Sequence, residues 1–213
     1  MILIRHGQST ANASGLWQGQ LDFPLSEEGR LQAADAGHAL TGTKILGVYA
    51  SPLSRAFETA EIVAREAGFS DGEVEPVPDL MERHGGILEG YTWAEQESRN
   101  PALVEKFLSL PEEERWTLVG AETDAEILAR FERAISAIRL RHHAAEGSSV
   151  IVSHGGILRA FLRAFFGPTV LPGVERPPNA SITRLLYDPS NPDAALKLSE
   201  LASTSHLSTE KAR

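Results

Sequence analysis

Arg5 and His6 stand side by side, followed by Gly7 and then by Gln8, Ser9, Thr10 and Asn12. An imidazole is a nucleophile near neutral pH, and a guanidinium grips a phosphate through two parallel hydrogen bonds, with short polar side chains adding further ones. The stretch reads as the start of a phosphoryl-transfer site, although taken alone it reads equally as the polar end of a strand. Three distant segments carry groups that fit the first reading. Arg55 follows Ser51-Pro52-Leu53-Ser54, Glu82 opens a run that ends in Gly85 and Gly86, and His154 precedes Gly155 and Gly156. Arg5 and Arg55 supply two guanidinium forks that Lys cannot reproduce, and such cations keep a nearby His6 neutral and nucleophilic. His154, protonated, is expected to donate to the transferring phosphoryl group, and Glu82 to give its proton to the leaving alcohol. Because charge spreads over the phosphoryl oxygens in the transition state, fixed donors around them lower the barrier.

These groups need elements to hold them. Met1–Ile4 is an apolar run too short for a helix and bounded by a glycine, as a buried strand is. Ile45–Ala50, Val74–Val77 and the run from Ser149 repeat that pattern, and each is followed by turn or helix signals. Ser26 with Glu27 and Glu28 starts a helix that Gly42 ends, with Ala33, Ala36, Gly37 and Leu40 on one face. Ser51-Pro52 starts another, carrying Ala56, Ala60, Val63 and Ala67 at helical spacing. A long helix carries Ile127, Phe131, Ala134, Ile135 and Ile138 on one stripe, and the helix after Gly156 is expected to bury Ile157, Leu158, Phe161, Leu162, Phe165 and Phe166. Ser181–Tyr187 and Ala195–Leu201 read as edge strands. Strand-helix alternation implies an α/β three-layer sandwich, a mostly parallel central sheet with helices on both faces. Pro101 and Pro111 break about 92–123 into short helices with an acidic Glu112-Glu113-Glu114 patch, read as an inserted helical lid. Residues 1–213 read as one domain, with a loose tail after about 203. In open α/β sheets ligands bind at the carboxyl ends of the strands, where Arg5, His6, Arg55 and His154 would gather.

Composition narrows the classes. Hydrophobic residues make up 42% and charged ones 23%, which is globular and not disordered. The net charge of −9 argues against nucleic acid or anionic membrane as partner, so an anionic substrate must find a locally positive pocket. With no Cys, disulfides, thiolate metal sites and cysteine nucleophiles are excluded. No leader or membrane-spanning stretch is legible, and the expected location is cytoplasmic. His38, His84, His142, His143 and His206 read as surface or satisfied histidines. Trp17, Phe23, Tyr91 and Trp116 read as core residues more readily than ligand walls, in loops where a rim should be.

Taken in order, Arg5-His6-Gly7 with Asn12, Gln18-Gly19, Ser51-Pro52-Leu53-Ser54-Arg55-Ala56 with Thr59-Ala60, Glu82, Glu89-Gly90 and Ser153-His154-Gly155-Gly156 resemble the histidine phosphatase superfamily, also called phosphoglycerate mutase-like. The resemblance implies a transient phosphohistidine on His6, and Arg5, Arg55 and His154 binding the phosphoryl group. It further implies hydrogen bonds from Asn12 and Gln18, with Gly19 and Gly155 beside the substrate, Glu82 as acid and then base for water, and no metal or other cofactor. Glu89 lies near enough to be confused with Glu82, and Gln18 reads equally as a loop residue. The substrate is expected to be a small phosphomonoester, and the oligomeric state, a homodimer included, is not fixed by the sequence. The family holds phosphatases and mutases. The lid is acidic and lacks the adjacent arginine pair of family mutases, which favours a phosphatase; Glu82-Arg83-His84 looks more like the mutases, which keeps a cofactor-dependent phosphoglycerate mutase as the alternative. A non-catalytic phospho-ligand-binding protein is a third reading.

Overall fold

A computed structural model describes residues 1–171, 176–188, 190–191 and 194–208, with the backbone alone at residue 113. In chain order the elements are β1 (Ile2–Arg5), α1 (Thr10–Ala13), α2 (Glu27–His38), β2 (Ile45–Ala50), α3 (Ser54–Glu66), β3 (Glu75–Pro76), α4 (Trp93–Arg99), α5 (Pro101–Ser109), α6 (Glu112–Leu118), α7 (Asp124–Arg141), β4 (Ser148–Ser153), α8 (Gly155–Phe166), β5 (Ile182–Leu186) and β6 (Lys197–Ser203). Single 3₁₀ turns span Pro78–Leu80 and Gly86–Leu88, where the glycine-rich run forbids a longer helix.

The six strands form one sheet in the order β3-β2-β4-β1-β5-β6. β1, β2, β3 and β4 pair in parallel, and β5 is antiparallel to both of its neighbours. Side chains alternate across the sheet with a period of two. Ile2, Ile4, Val150 and Val152 therefore face α2 and α3, whereas Leu3 and Ile151 face α7 and α8. That division makes the three layers, a mixed α/β fold with the mostly parallel sheet expected. Caps fix the helix starts where the sequence places them: Ser26 accepts from Gly29 N, and Thr123 forms a reciprocal box with Glu126.

Some expectations are corrected. α2 ends at His38, before Gly42. The third strand shrinks to Glu75–Pro76, because Pro76 can sit only where no further ladder bond is needed, at the edge of the sheet. Phe165 is 47% exposed and Phe166 only half-buried; the last turn of α8 leaves Phe165 covering Phe161, with ring centroids 4.5 Å apart, and open on its other side. Beyond Ser203 the chain stays docked: His206 Nε2 donates to Ala180 O at 3.0 Å and Leu207 is buried. Residues 209–213 lie outside the described residues. Between 92 and 123, α4, α5 and α6 share a small core of Leu88, Phe107, Val119 and Ala121, edged by Trp17, Trp93 and Trp116. Among the described residues no helix is long and apolar enough to cross a membrane.

Candidate active site

β1 and β4 lie side by side in parallel with Arg5 opposite Ser153. Each strand therefore ends on a histidine at the same level, and the His6 and His154 rings stand 5.1 Å apart, tilted by 59°. Residues far apart in sequence thus meet at the carboxyl edge of the sheet, as the strand pattern implies.

The hydrogen bonds of His6 fix its tautomer. Nδ1 lies 2.6 Å from the carbonyl of Gly7; a carbonyl only accepts, so Nδ1 carries the proton and Nε2 keeps a lone pair. Burial, followed by the charges of Arg55 and Arg5, holds the ring's pKa well below the ordinary histidine value. His6 is a neutral nucleophile without any adjacent base. His154 is held neutral in the same way, by burial first and then by Arg55, His6 and Arg5. That direction runs against the expectation of a protonated His154, because burial beside Arg55 and Arg5 penalises the charged ring. Its Nε2 lies 2.7 Å from Ser51 Oγ, which also accepts from Leu53 N at 3.3 Å. With the hydroxyl proton given to Nε2, the ring proton sits on Nδ1 as a neutral donor.

Arg55, at the start of α3, is fully buried; its Nη1 and Nη2 donate to Leu21 O and Gly19 O at 2.9 and 2.8 Å. Arg5 Nη1 donates to Pro177 O at 2.6 Å. Burial and the neighbouring Arg176 push Arg5 down to about 10, high enough for it to stay charged at neutral pH. Arg5 Nε, Arg55 Nε and His154 Nδ1 are buried with no hydrogen-bond partner among the described residues. Three orphaned donors around one neutral histidine are costly unless an acceptor joins them.

Asn12 Oδ1 accepts from Ser9 N and Asn179 Nδ2, which turns its NH₂ toward the cavity it lines. Gln18 Oε1 is held by Ser9 Oγ at 2.7 Å, so this side chain too presents its amide donors. Gly19 serves through its carbonyl on Arg55 and its left-handed φ of 51°. Glu82 is held by three backbone donors: Gly156 N at 2.8 Å, Ile157 N at 3.0 Å and Arg83 N at 2.9 Å. Its carboxylate thereby caps the N-terminus of α8, the positive end of that helix. Arg130 of α7 fixes the loop behind it by donating to Met81 O and Glu82 O at 2.5 and 2.9 Å. Glu89, the competitor for the acid role, instead accepts from Gly85 N and Gln20 N and braces the loop.

Arg5, His6, Asn12, Gln18, Gly19, Arg55 and Glu82 line one cavity of about 590 Å³. His154 and Gly155 are not on its wall. His154 backs His6 from below, and a Cβ on Gly155 would stand 3.0 Å from Arg5 Nε, so the glycine leaves room for that guanidinium. Among the described lining residues are six arginines against two carboxylates, Glu82 and Glu112. A chain of net charge −9 therefore concentrates positive charge in its one functional cleft, as an anionic ligand requires. Trp17, Trp93, Phe107 and Trp116 form an aromatic wall, and Trp17 and Trp116 pack on the lid core as expected while also facing the cavity. Arg130, Arg159 and Arg176 carried no signal of their own as single polar residues in ordinary helix or loop contexts, and Ser51 was legible only as part of the motif before Arg55. Among the described residues no three His, Asp or Glu gather as metal ligands.

The family model described as histidine phosphatase superfamily (branch 1) matches residues 1–197. A metal-independent phosphoserine phosphatase of Arabidopsis thaliana is 36% identical over 162 residues, 75% of this chain and 66% of that protein. A glucosyl-3-phosphoglycerate phosphatase of Mycobacterium tuberculosis is 30% identical over 193 residues, 87% of this chain and 84% of that protein. A phosphoglycerate mutase from Bacillus anthracis shares the fold with a TM-score of 0.80 over 97% of this chain and 94% of its own, at 24% identity.

Proposed function

The chain belongs to the histidine phosphatase superfamily (branch 1) and is a phosphatase, and from that premise we propose that it hydrolyses small phosphomonoesters without a metal, through a phosphohistidine on His6. The observation that carries this reading is the set of three buried, unpartnered donors, Arg5 Nε, Arg55 Nε and His154 Nδ1, around a histidine whose Nε2 lone pair is free. Phosphoryl oxygens in the cavity supply acceptors for Arg5 and Arg55, which line it, and His154, whose ring stands 5.1 Å from that of His6, is the third donor of the set. His6 Nε2 attacks phosphorus, the bond from phosphorus to the ester oxygen breaks, and Glu82 delivers a proton to the departing alkoxide. Glu82 then takes a proton from water as that water attacks the phosphohistidine, which returns neutral His6 and inorganic phosphate. Donation requires one Glu82 oxygen to carry a proton and so to release a backbone N–H of α8. A cavity of about 590 Å³ suits a metabolite rather than a folded protein substrate.

The mutase alternative rested on the run Glu82-Arg83-His84. The Arg83 guanidinium bonds Glu122 O and Asp124 and stacks 4.1 Å from the Trp116 ring centroid, so much of its bonding capacity is spent on these neighbours. Hydrolysis of p-nitrophenyl phosphate, unaffected by chelator and abolished in His6→Ala, tests the reading. Labelled substrate should leave acid-labile, base-stable phosphate on the protein. Interconversion of 2- and 3-phosphoglycerate without release of phosphate would replace the phosphatase by the mutase.

A further inference from the structure

The cavity wall carries a second charged cluster beside the His6 group. Glu112, the first residue of α6 in the lid, extends its carboxylate to α8, where Oε1 meets Arg159 at 2.5 Å and Oε2 meets Arg163 at 3.0 Å. Arg159 and Arg163 are four apart on one helix and so present their guanidinium groups on the same face. The two differ in one respect: Glu112 and Arg159 line the cavity, and Arg163 does not. Arg159 also lies within a turn of Gly156 and Ile157, whose N–H groups hold Glu82, so one helix positions both charged groups of the wall.

We propose that Arg159 is a second anion subsite, selecting phosphomonoesters that also carry a carboxylate, and that Glu112 of the lid holds its place until such a substrate enters. The inference rests on the phosphatase reading above and extends it to the substrate's distal end. Two features make the exchange cheap. The pair is about a third exposed on the Glu112 side, so solvent weakens it. Moreover Arg163 keeps its own bond to the other Glu112 oxygen, so a substrate carboxylate can take Arg159 without stranding the lid's charge. Exchange replaces one guanidinium–carboxylate pair by another of the same geometry. The neighbouring cations do not compete for this role equally. Arg83 is committed to Asp124 and Trp116, and Arg115 directs Nε and Nη2 to Leu110 O and Leu108 O.

The test uses ligand pairs that differ only at the distal end: 3-phosphoglycerate, with a carboxylate, and glycerol 3-phosphate, without one. Each is measured as a competitive inhibitor of p-nitrophenyl phosphate hydrolysis by the full chain. Arg159→Ala should raise the inhibition constant of 3-phosphoglycerate about tenfold or more and leave that of glycerol 3-phosphate within about twofold. Glu112→Gln removes the competitor and should shift the ratio of the two constants the other way, tightening 3-phosphoglycerate several-fold. A ratio that neither variant moves, or equal weakening of both ligands in Arg159→Ala, would reduce the pair to a lid brace and overturn the subsite. Weaker 3-phosphoglycerate in Glu112→Gln would mean that Glu112 touches the ligand favourably, which also overturns it. If the wild-type chain fails to turn over p-nitrophenyl phosphate at all, the phosphatase reading fails first.

Discussion

Replacing Arg55 by Lys keeps one positive charge in place and removes a geometry. In the native site Nη1 and Nη2 reach Leu21 O and Gly19 O, while Nε remains for the phosphoryl group. A lysine ammonium is a point charge on a longer, flexible stem, and it cannot hold two carbonyls of the 19–21 loop and still present an N–H along the Nε direction. Loss of one fixed donor to a transition-state oxyanion costs about 2.7–4 kcal/mol, or roughly 10²–10³ in rate. The loop carbonyl left without its partner costs about 1–3 kcal/mol of stability, and for a chain of 213 residues that is a melting point lower by a few degrees for each kcal/mol. Rapid-quench measurement of phosphoenzyme formation separates the two effects, because residual folded protein is counted by the melting curve and the rate per folded molecule by the quench. If phosphoenzyme forms within about threefold of the wild-type rate in Arg55→Lys, charge alone suffices and the fork argument is wrong.

Glu82→Gln can still accept from Gly156 N or Ile157 N but has no proton to give, so hydrolysis of alkyl phosphates should fall about 10²–10⁴-fold and that of p-nitrophenyl phosphate, whose leaving group needs no acid, far less; equal losses on both substrates would remove Glu82 from the acid role. His6 and His154 are buried neutral, with pKa values depressed in the folded protein, whereas in the unfolded chain they titrate near the ordinary histidine value of about 6.5. Below that pH the unfolded state binds protons that the folded state refuses, so the stability present above about pH 6.5 is lost as pH falls, by up to about 1.4 kcal/mol per pH unit for each ring. Urea unfolding at pH 7 and pH 5 should show this slope and show it reduced in His154→Gln; an identical slope in the variant would mean that His154 is not buried neutral.

Much of the architecture was legible because its causes are local. Ile45–Ala50 forms a strand of that extent because its apolar run is bounded by Lys44 and Ser51-Pro52, and α7 follows its stripe from Ile127 to Ile138. The reacting groups were legible as residue types at strand ends, which the parallel sheet then gathers. What stayed hidden depends on tertiary neighbours. Nothing local distinguishes Trp116 as a cavity wall, since its side depends on how three short helices stack. The downward pull on the His154 pKa comes from burial and from Arg55 and Arg5, neither adjacent to it in sequence. The docking of His206 on Ala180 likewise joins a polar tail to a turn that no periodicity predicts.

The pairing of β1 with β4 joins the first strand of the chain to one encoded beyond the lid, and β1 receives its other neighbour from β5, later still. A polypeptide growing from the ribosome thus carries the His6 imidazole past synthesis of the whole lid with neither flanking strand yet made. The edge on which His6 and His154 meet cannot assemble until β4 has emerged, so copies truncated before the end of β4 lack both His154 and the α8 backbone donors to Glu82.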